Sequence, residues 1–231
     1  MKKLLALVLV ISLLGVPFGA FAEGLNLEGV TSEGAVIDTT GASDKLISKA
    51  ASSTDKVEDI DGNLVVTTNY GVVLTCSVPS GVYALTQSYF HDIALYNSVY
   101  PDPAAIIEKF INDEMHLNLF TVTGSCLDVF FYVYEGTNSL GEMIGSANNL
   151  SDSDAATVAA YLAKVNDVDF EYGKVGDQVW FIANLIGSHN MLVAFTYVNG
   201  HCVQAYMYNI ATNDDVQTAM NMLASVSFSA K

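Results

Sequence analysis

Apolar positions along this chain fall into strand-like blocks and into stripes at helical spacing. Residues 178–186, 191–198 and 201–209 are three successive blocks of the first kind. In the first, one parity carries Val179, Phe181, Ala183 and Leu185, while the other carries Trp180, Ile182 and Ile186. A half-solvated sheet would show polar residues on one parity, so these strands predict a sheet covered on both faces. Gly187-Ser188-His189-Asn190 turns the first block into the second, and Asn199-Gly200 turns the second into the third as a type I′ hairpin. Upstream, residues 64–68, 71–78 and 82–86 are β-rich and are broken by Pro79-Ser80-Gly81. Residues 117–123 and 127–134 predict a further strand pair.

Helical stripes lie between the strands. Asp102-Pro103 reads as an N-cap and first helical residue, followed by Ile107, Phe110, Ile111 and Glu114 over 103–115. Ser151 with Asp154 opens a helix over 151–165, whose apolar face is Ala155, Val158, Ala159 and Leu162. Thr212 with Asp215 opens a last one, lined by Val216, Ala219, Met220 and Leu223, before residues 225–228 close the domain. A shorter helix is expected around 140–147. Hairpins with two apolar faces imply helices above and below, hence an α+β fold with an antiparallel sheet between helical layers.

The first residues follow a different pattern. Lys2 and Lys3 precede an apolar run from Leu4 to Leu14, and Ala20-Phe21-Ala22 places small residues at the −3 and −1 positions before Glu23. That order is a secretory signal peptide over 1–22, with cleavage expected after Ala22. The run is too short for a comfortable span, so no membrane span is expected after cleavage. With Cys76 the first cysteine, no lipid anchor is expected. Residues 23–62 contain no aromatic residue and are rich in Gly, Ser, Thr, Asp and Glu. They read as a flexible acidic leader, with a domain over 63–231.

Charge narrows the partners. The formal charge is −16, arginine is absent, and loss of Lys2 and Lys3 with the signal would make the charge −18. Such a chain cannot neutralise phosphates or grip them bidentately, which excludes nucleic acid and anionic membrane surfaces. Cys76, Cys126 and Cys202 sit in strand-like runs without metal spacing, and three cannot all pair within one chain. Buried thiols are the expected state, with one disulfide as the alternative.

No constellation carries a reaction. His189 and His201 flank the block 191–198, on the order of 25 Å apart, too far to share a metal. His91 and His116 lie elsewhere. His201 and Cys202 alternate on a strand and cannot form a dyad. Around Glu58-Asp59-Ile60-Asp61-Gly62-Asn63 a calcium loop would put Val57 and Thr68 where carboxylates are required, so a solvated turn is expected. Asp167, Asp169 and Glu171 alternate as an exposed strand face does, with a loose cation site as the alternative. Catalytic, cofactor and metal residues are therefore not assigned. Phe130, Tyr132 and Tyr134 share one strand face and Tyr206 and Tyr208 another. Tyr132, Tyr134, Tyr206 and Tyr208 are the one candidate ligand platform, with sheet residues under a helix as the plainer reading.

The strand order of 178–186, 191–198 and 202–208, followed by a capped helix ending in Leu223-Ala224-Ser225-Val226-Ser227-Phe228, resembles the closing half of PsbP-like domains. The earlier pieces, 71–78 with Pro79-Ser80-Gly81, helix 103–115 and His116-Leu117-Asn118-Leu119-Phe120, fit the same family over roughly 64–228. Uncharacterised secreted proteins of Gram-positive bacteria look most similar. The resemblance implies an antiparallel sheet between helices and transfers no activity. The expected role is an exported, non-catalytic binding or adaptor domain for a protein or cell-envelope ligand. The alternative is an extracellular hydrolase built from scattered carboxylates or a cysteine.

Overall fold

The structure, a computed structural model, describes residues 25–27, 30, 35, 37, 55–87, 115–134 and 139–231. Signal residues 1–22, most of the leader, His91 and residues 103–114 of the expected helix lie outside the described residues, while Met115, its expected end, opens a strand. Eleven strands are described, in two antiparallel sheets. The larger has the order β4-β5-β6-β10-β9-β8-β7: Tyr83–Thr86, Met115–Phe120, Asp128–Val133, His201–Tyr208, Met191–Val198, Gln178–Leu185 and Phe170–Val175. The smaller has the order β1-β2-β3-β11: Lys56–Ile60, Asn63–Thr67, Val72–Cys76 and Val226–Ala230. The described helices are α1 (Ser139–Ile144), α2 (Asp152–Asn166), α3 (Ile186–His189) and α4 (Asn213–Ala224), with a 3₁₀ turn at Ala147–Asn149.

Local chemistry accounts for the element ends. Ser151 caps α2 by accepting from the Asp154 N–H at 3.2 Å, and Asp167 ends it in the left-handed region at φ 53°. Thr212 and Asp215 form a full capping box on α4, each side chain accepting the other's N–H. Asn199 and Gly200 take φ of 50° and 84°, the geometry a type I′ turn demands. Asp61 and Gly62 do the same at 53° and 79°, with the Asp59 carboxylate accepting the Gly62 N–H, so the acidic run near Asp59 is a hairpin turn.

Both faces of the large sheet are covered, as its doubly apolar strands require. One face buries Phe181, Val193, Phe195 and Tyr197 against Leu140 of α1 and Val158 and Leu162 of α2. The other buries Phe131, Trp180, Ile182 and Met207 against Val66 and Leu74 of the small sheet and Met222 and Leu223 of α4. Phe228 of β11 meets Trp180 edge-on at 5.6 Å and lies 6.2 Å from Phe131, which seals the small sheet onto the large one.

Of the expected sheet between two helical layers, the described residues show antiparallel sheets with α1 and α2 on one face. On the second face α4 shares the cover with a four-stranded sheet that was not expected. Two apolar faces say that a strand is covered without saying by what. The better signal lay in β2 and β3, where buried and half-buried residues alternate as in a sheet that covers another.

The expected boundary between 62 and 63 falls inside the β1–β2 hairpin. β1 lies on the leader's side of it, registered from Lys56 opposite Thr67 to Ile60 opposite Asn63. Composition hid this strand because its backbone ladder, rather than apolar burial, holds it: Ile60 is 49% exposed. Ala35 is fully buried, and Leu25, Leu27, Val30 and Ile37 pack on the core beneath α2.

Candidate functional site

The tyrosines divide. Tyr132 on β6 and Tyr206 and Tyr208 on β10 share one face of the large sheet, because Gln204 lies opposite Tyr132 and Tyr206 opposite Phe130. Tyr132 meets Tyr206 edge-on at 5.5 Å, and Tyr206 stacks along Tyr208 at 6.2 Å. Tyr206 is 5% exposed and donates its hydroxyl to Gln204 Oε1 at 3.1 Å, so its ring offers no open face. Tyr134 lies past the end of β6 and is 42% exposed. The cluster is an aromatic part of the packed face, with Tyr134 outside it.

The histidines are also dispersed. His189 closes α3 at the surface. His201 opens β10 and stacks on Tyr70 at 6.5 Å, while Cys202 turns into the opposite core. His116 sits at the bulge between Met115 and Leu117, and its Nδ1 lies 2.7 Å from Asp55 Oδ2. Gln87 locks this pair, accepting the Asp55 N–H and donating to the Met115 carbonyl. The side chains of His116 and Asp55 are 2% and 1% exposed, so the pair reaches no substrate. Sequence gave no hint of it, because its members are 61 residues apart.

The thiols are free, and two are deeply set. Burial pushes Cys76 up to about 11 and Cys202 up to about 12. Neither forms a thiolate near neutral pH. For Asp215 burial works upward, but hydrogen bonds from the Ala211 N–H, the Ser125 hydroxyl and Thr212 hold its carboxyl below the usual range. That carboxylate is occupied as a cap. Among the described residues no three His, Cys, Asp or Glu side chains gather to hold a metal.

The most organised polar surface lies along α2, where the helix holds residues from an earlier piece of its own chain by their backbone. Asn166 accepts the Ile37 N–H at 2.7 Å on Oδ1 and donates from Nδ2 to the Ala35 carbonyl at 2.8 Å. The same Nδ2 also donates to the Leu162 carbonyl at 2.8 Å, which fixes the amide's orientation. Tyr161 donates its hydroxyl to the Val30 carbonyl at 3.2 Å, and Asp154 accepts the Leu25 N–H at 2.8 Å. On a helix Asp154 and Tyr161 fall at one edge of the buried stripe Ala155, Val158, Leu162, and Asn166, about a third of a turn round, falls at the other, so the held residues cross the stripe. All four contacts address main-chain N–H or C=O groups of residues 25–37 and none reads a side chain. An amide carries one acceptor and one donor side by side, which matches the alternating groups of an extended backbone. The apolar stripe of α2 was legible in the sequence; the polar groups flanking it were not, since Asn166 and Tyr161 carry no motif.

No protein-family model and no curated protein matches the chain. The solution structure of cyanobacterial PsbP (CyanoP) from Synechocystis is similar at 11% identity, with a TM-score of 0.34, over 79% of this chain and 96% of that chain. A likeness at that score bears no weight for family or function.

Proposed function

We propose that this chain is an exported, non-catalytic binding domain that holds a polypeptide segment along α2 by its backbone. The observation that carries the reading is the two-point grip of the Asn166 amide on one backbone, on Ile37 N–H and Ala35 C=O together. Export rests on the signal pattern ending at Ala22, and the PsbP-like assignment rests on the order of strands and caps from residue 71 to residue 228. A protein or cell-envelope partner with an accessible extended chain suits a grip that reads backbone. Nucleic acid does not, given the charge of −16 and no arginine. No described helix is long and apolar enough to cross a membrane. For the alternative, a hydrolase built from scattered carboxylates or a cysteine, Cys76 and Cys202 are ill placed because they are buried with raised pKa, and so are the enclosed His116 and Asp55.

The test weakens the chain's own segment and offers the same sequence in trans. The full chain carrying Leu25→Asp and Ile37→Asp should bind a labelled synthetic peptide of residues 23–38 at one to one, read by fluorescence anisotropy. Asn166→Ala in that background should weaken binding about tenfold, as should methylation of the peptide's Ile37 nitrogen. Absence of saturable binding would overturn the reading.

A further inference from the structure

We propose that the outer edge of β7 accepts an extended, lysine- or arginine-rich segment of a partner protein as an eighth strand of the large sheet. This surface is separate from the grip along α2 and does not rest on it. β7 is the last strand of its sheet and pairs with β8, from Phe170 opposite Ala183 to Val175 opposite Gln178. Gly176 and Asp177 join the two as a tight turn, with a φ of 61° at Gly176. In a hairpin closed that way Val175, Gly173 and Glu171 turn their N–H and C=O groups to β8. Phe170, Tyr172 and Lys174 turn theirs outward, and among the described residues no backbone partner meets them. Of the usual guards of an edge β7 carries only charge: it has no proline, and its register runs without a bulge.

The charge beside this edge names the occupant. Residues 167–177 set Asp167, Asp169, Glu171 and Asp177 against Lys174 alone. Asp167, Asp169 and Asp177 are exposed and Glu171 is half-buried, and among the described residues no ion pair engages them. They are strung along the chain, and no three gather as a metal ion would require. Such a field suits an extended cationic chain better than a single ion. Asp169 and Glu171 alternate, which puts them about 7 Å apart, and basic residues at alternate positions of an opposing strand have the same spacing. A second copy is a poor occupant, because it would bring the same carboxylates face to face and has no arginine to meet them. β1, at the edge of the small sheet, offers less: Gln87 takes the Asp55 N–H, and Lys56 is already paired with Glu58 at 2.8 Å.

A labelled synthetic peptide of alternating lysine and threonine, about ten residues long, tests this on the full chain by fluorescence anisotropy. Saturable one-to-one binding is expected, falling as salt screens the charges, while an alternating glutamate–threonine peptide should not bind. Antiparallel addition, the mode of every described pair in this sheet, sets lysines beside Asp169 and Glu171 and aims the threonine N–H groups at the edge. Methylating the threonine nitrogens should therefore abolish binding, and methylating the lysine backbone nitrogens should preserve it. Asp169→Asn together with Glu171→Gln should weaken binding about tenfold, and so should Lys174→Pro, although it removes a repelling charge. Should Lys174→Pro fail to fold, the methylated peptides read the same edge on the unaltered chain. Equal binding of the two methylated peptides means attraction without strand addition and overturns the proposal, as does the absence of saturable binding. A chain that sediments as a dimer and loses that state when the peptide is added also overturns it, since the edge then belongs to a second copy.

Discussion

Asn166 ends α2, and Asp154 begins it as part of a cap; each has a second partner far away in sequence. Asp154 is bonded first to Ser151 and then to the Leu25 N–H, and both hold its carboxyl below the usual 3.8. A carboxylate whose folded value is depressed contributes fully above its unfolded value and is lost as pH falls through the folded one. The Leu25 end of the segment should thus stay docked at pH 5 and release only below about 3.8. Amide exchange at Leu25, followed from pH 6 to pH 2.5, checks this; release between pH 6 and 5 would show that Asp154 is not the anchor. The cap at Ser151 was legible because it spans three residues. The contact with Leu25 was not, because the two lie 129 positions apart and no spacing rule reaches that far. Tyr206 shows the same limit: alternation put it on a sheet face, but its burial and its bond to Gln204 depend on what covers that face.

At the scale of elements, strands and helices that end in local chemistry were legible to within a residue or two. Asn199-Gly200, Ser151 and Thr212-Asp215 each do in the structure what their residue types predict. What escaped was the partition into two sheets, since β11 pairs with β3 across most of the chain. A steric lock joins the two levels at Gly176, in the β7–β8 turn. A Cβ there would lie 2.6 Å from the Ala224 carbonyl oxygen and 3.1 Å from its Cα, at a φ of 61°. The obstacle is backbone at the end of α4, which cannot rotate aside. Gly176→Ala should therefore cost about 2–4 kcal/mol, combining a positive φ with overpacking. Denaturant unfolding measures it; an unchanged midpoint would mean that α4 does not abut this turn.

Among the described residues the two larger cores lie on opposite faces of the large sheet, beside a small cluster of Leu85, Met115 and Phe120, and the two buried thiols are divided between the larger ones. Cys76 lies in the core shared with the small sheet, and Cys202 in the core beneath α1 and α2. A disulfide between them would have to pass through the sheet, whereas Cys126 is partly exposed in a turn with φ 50°. Alkylation of the folded chain at pH 8 should label Cys126 alone, rising to three labels on unfolding, as mass spectrometry can count. Two labels on the folded chain would contradict this placement.

The register of β11 sets the order in which the molecule can be completed. Ala230 lies opposite Val72 and Val226 opposite Cys76, so the small sheet gains its fourth strand only from residues some 150 positions after β3. Until then Trp180 and Phe131 lack the Phe228 ring that closes over them. Contacts this distant in sequence form slowly, because a long loop must close before they can stabilise anything. A chain that emerges N-terminus first therefore holds β3 and the Trp180–Phe131 face without their last cover until β11 has emerged.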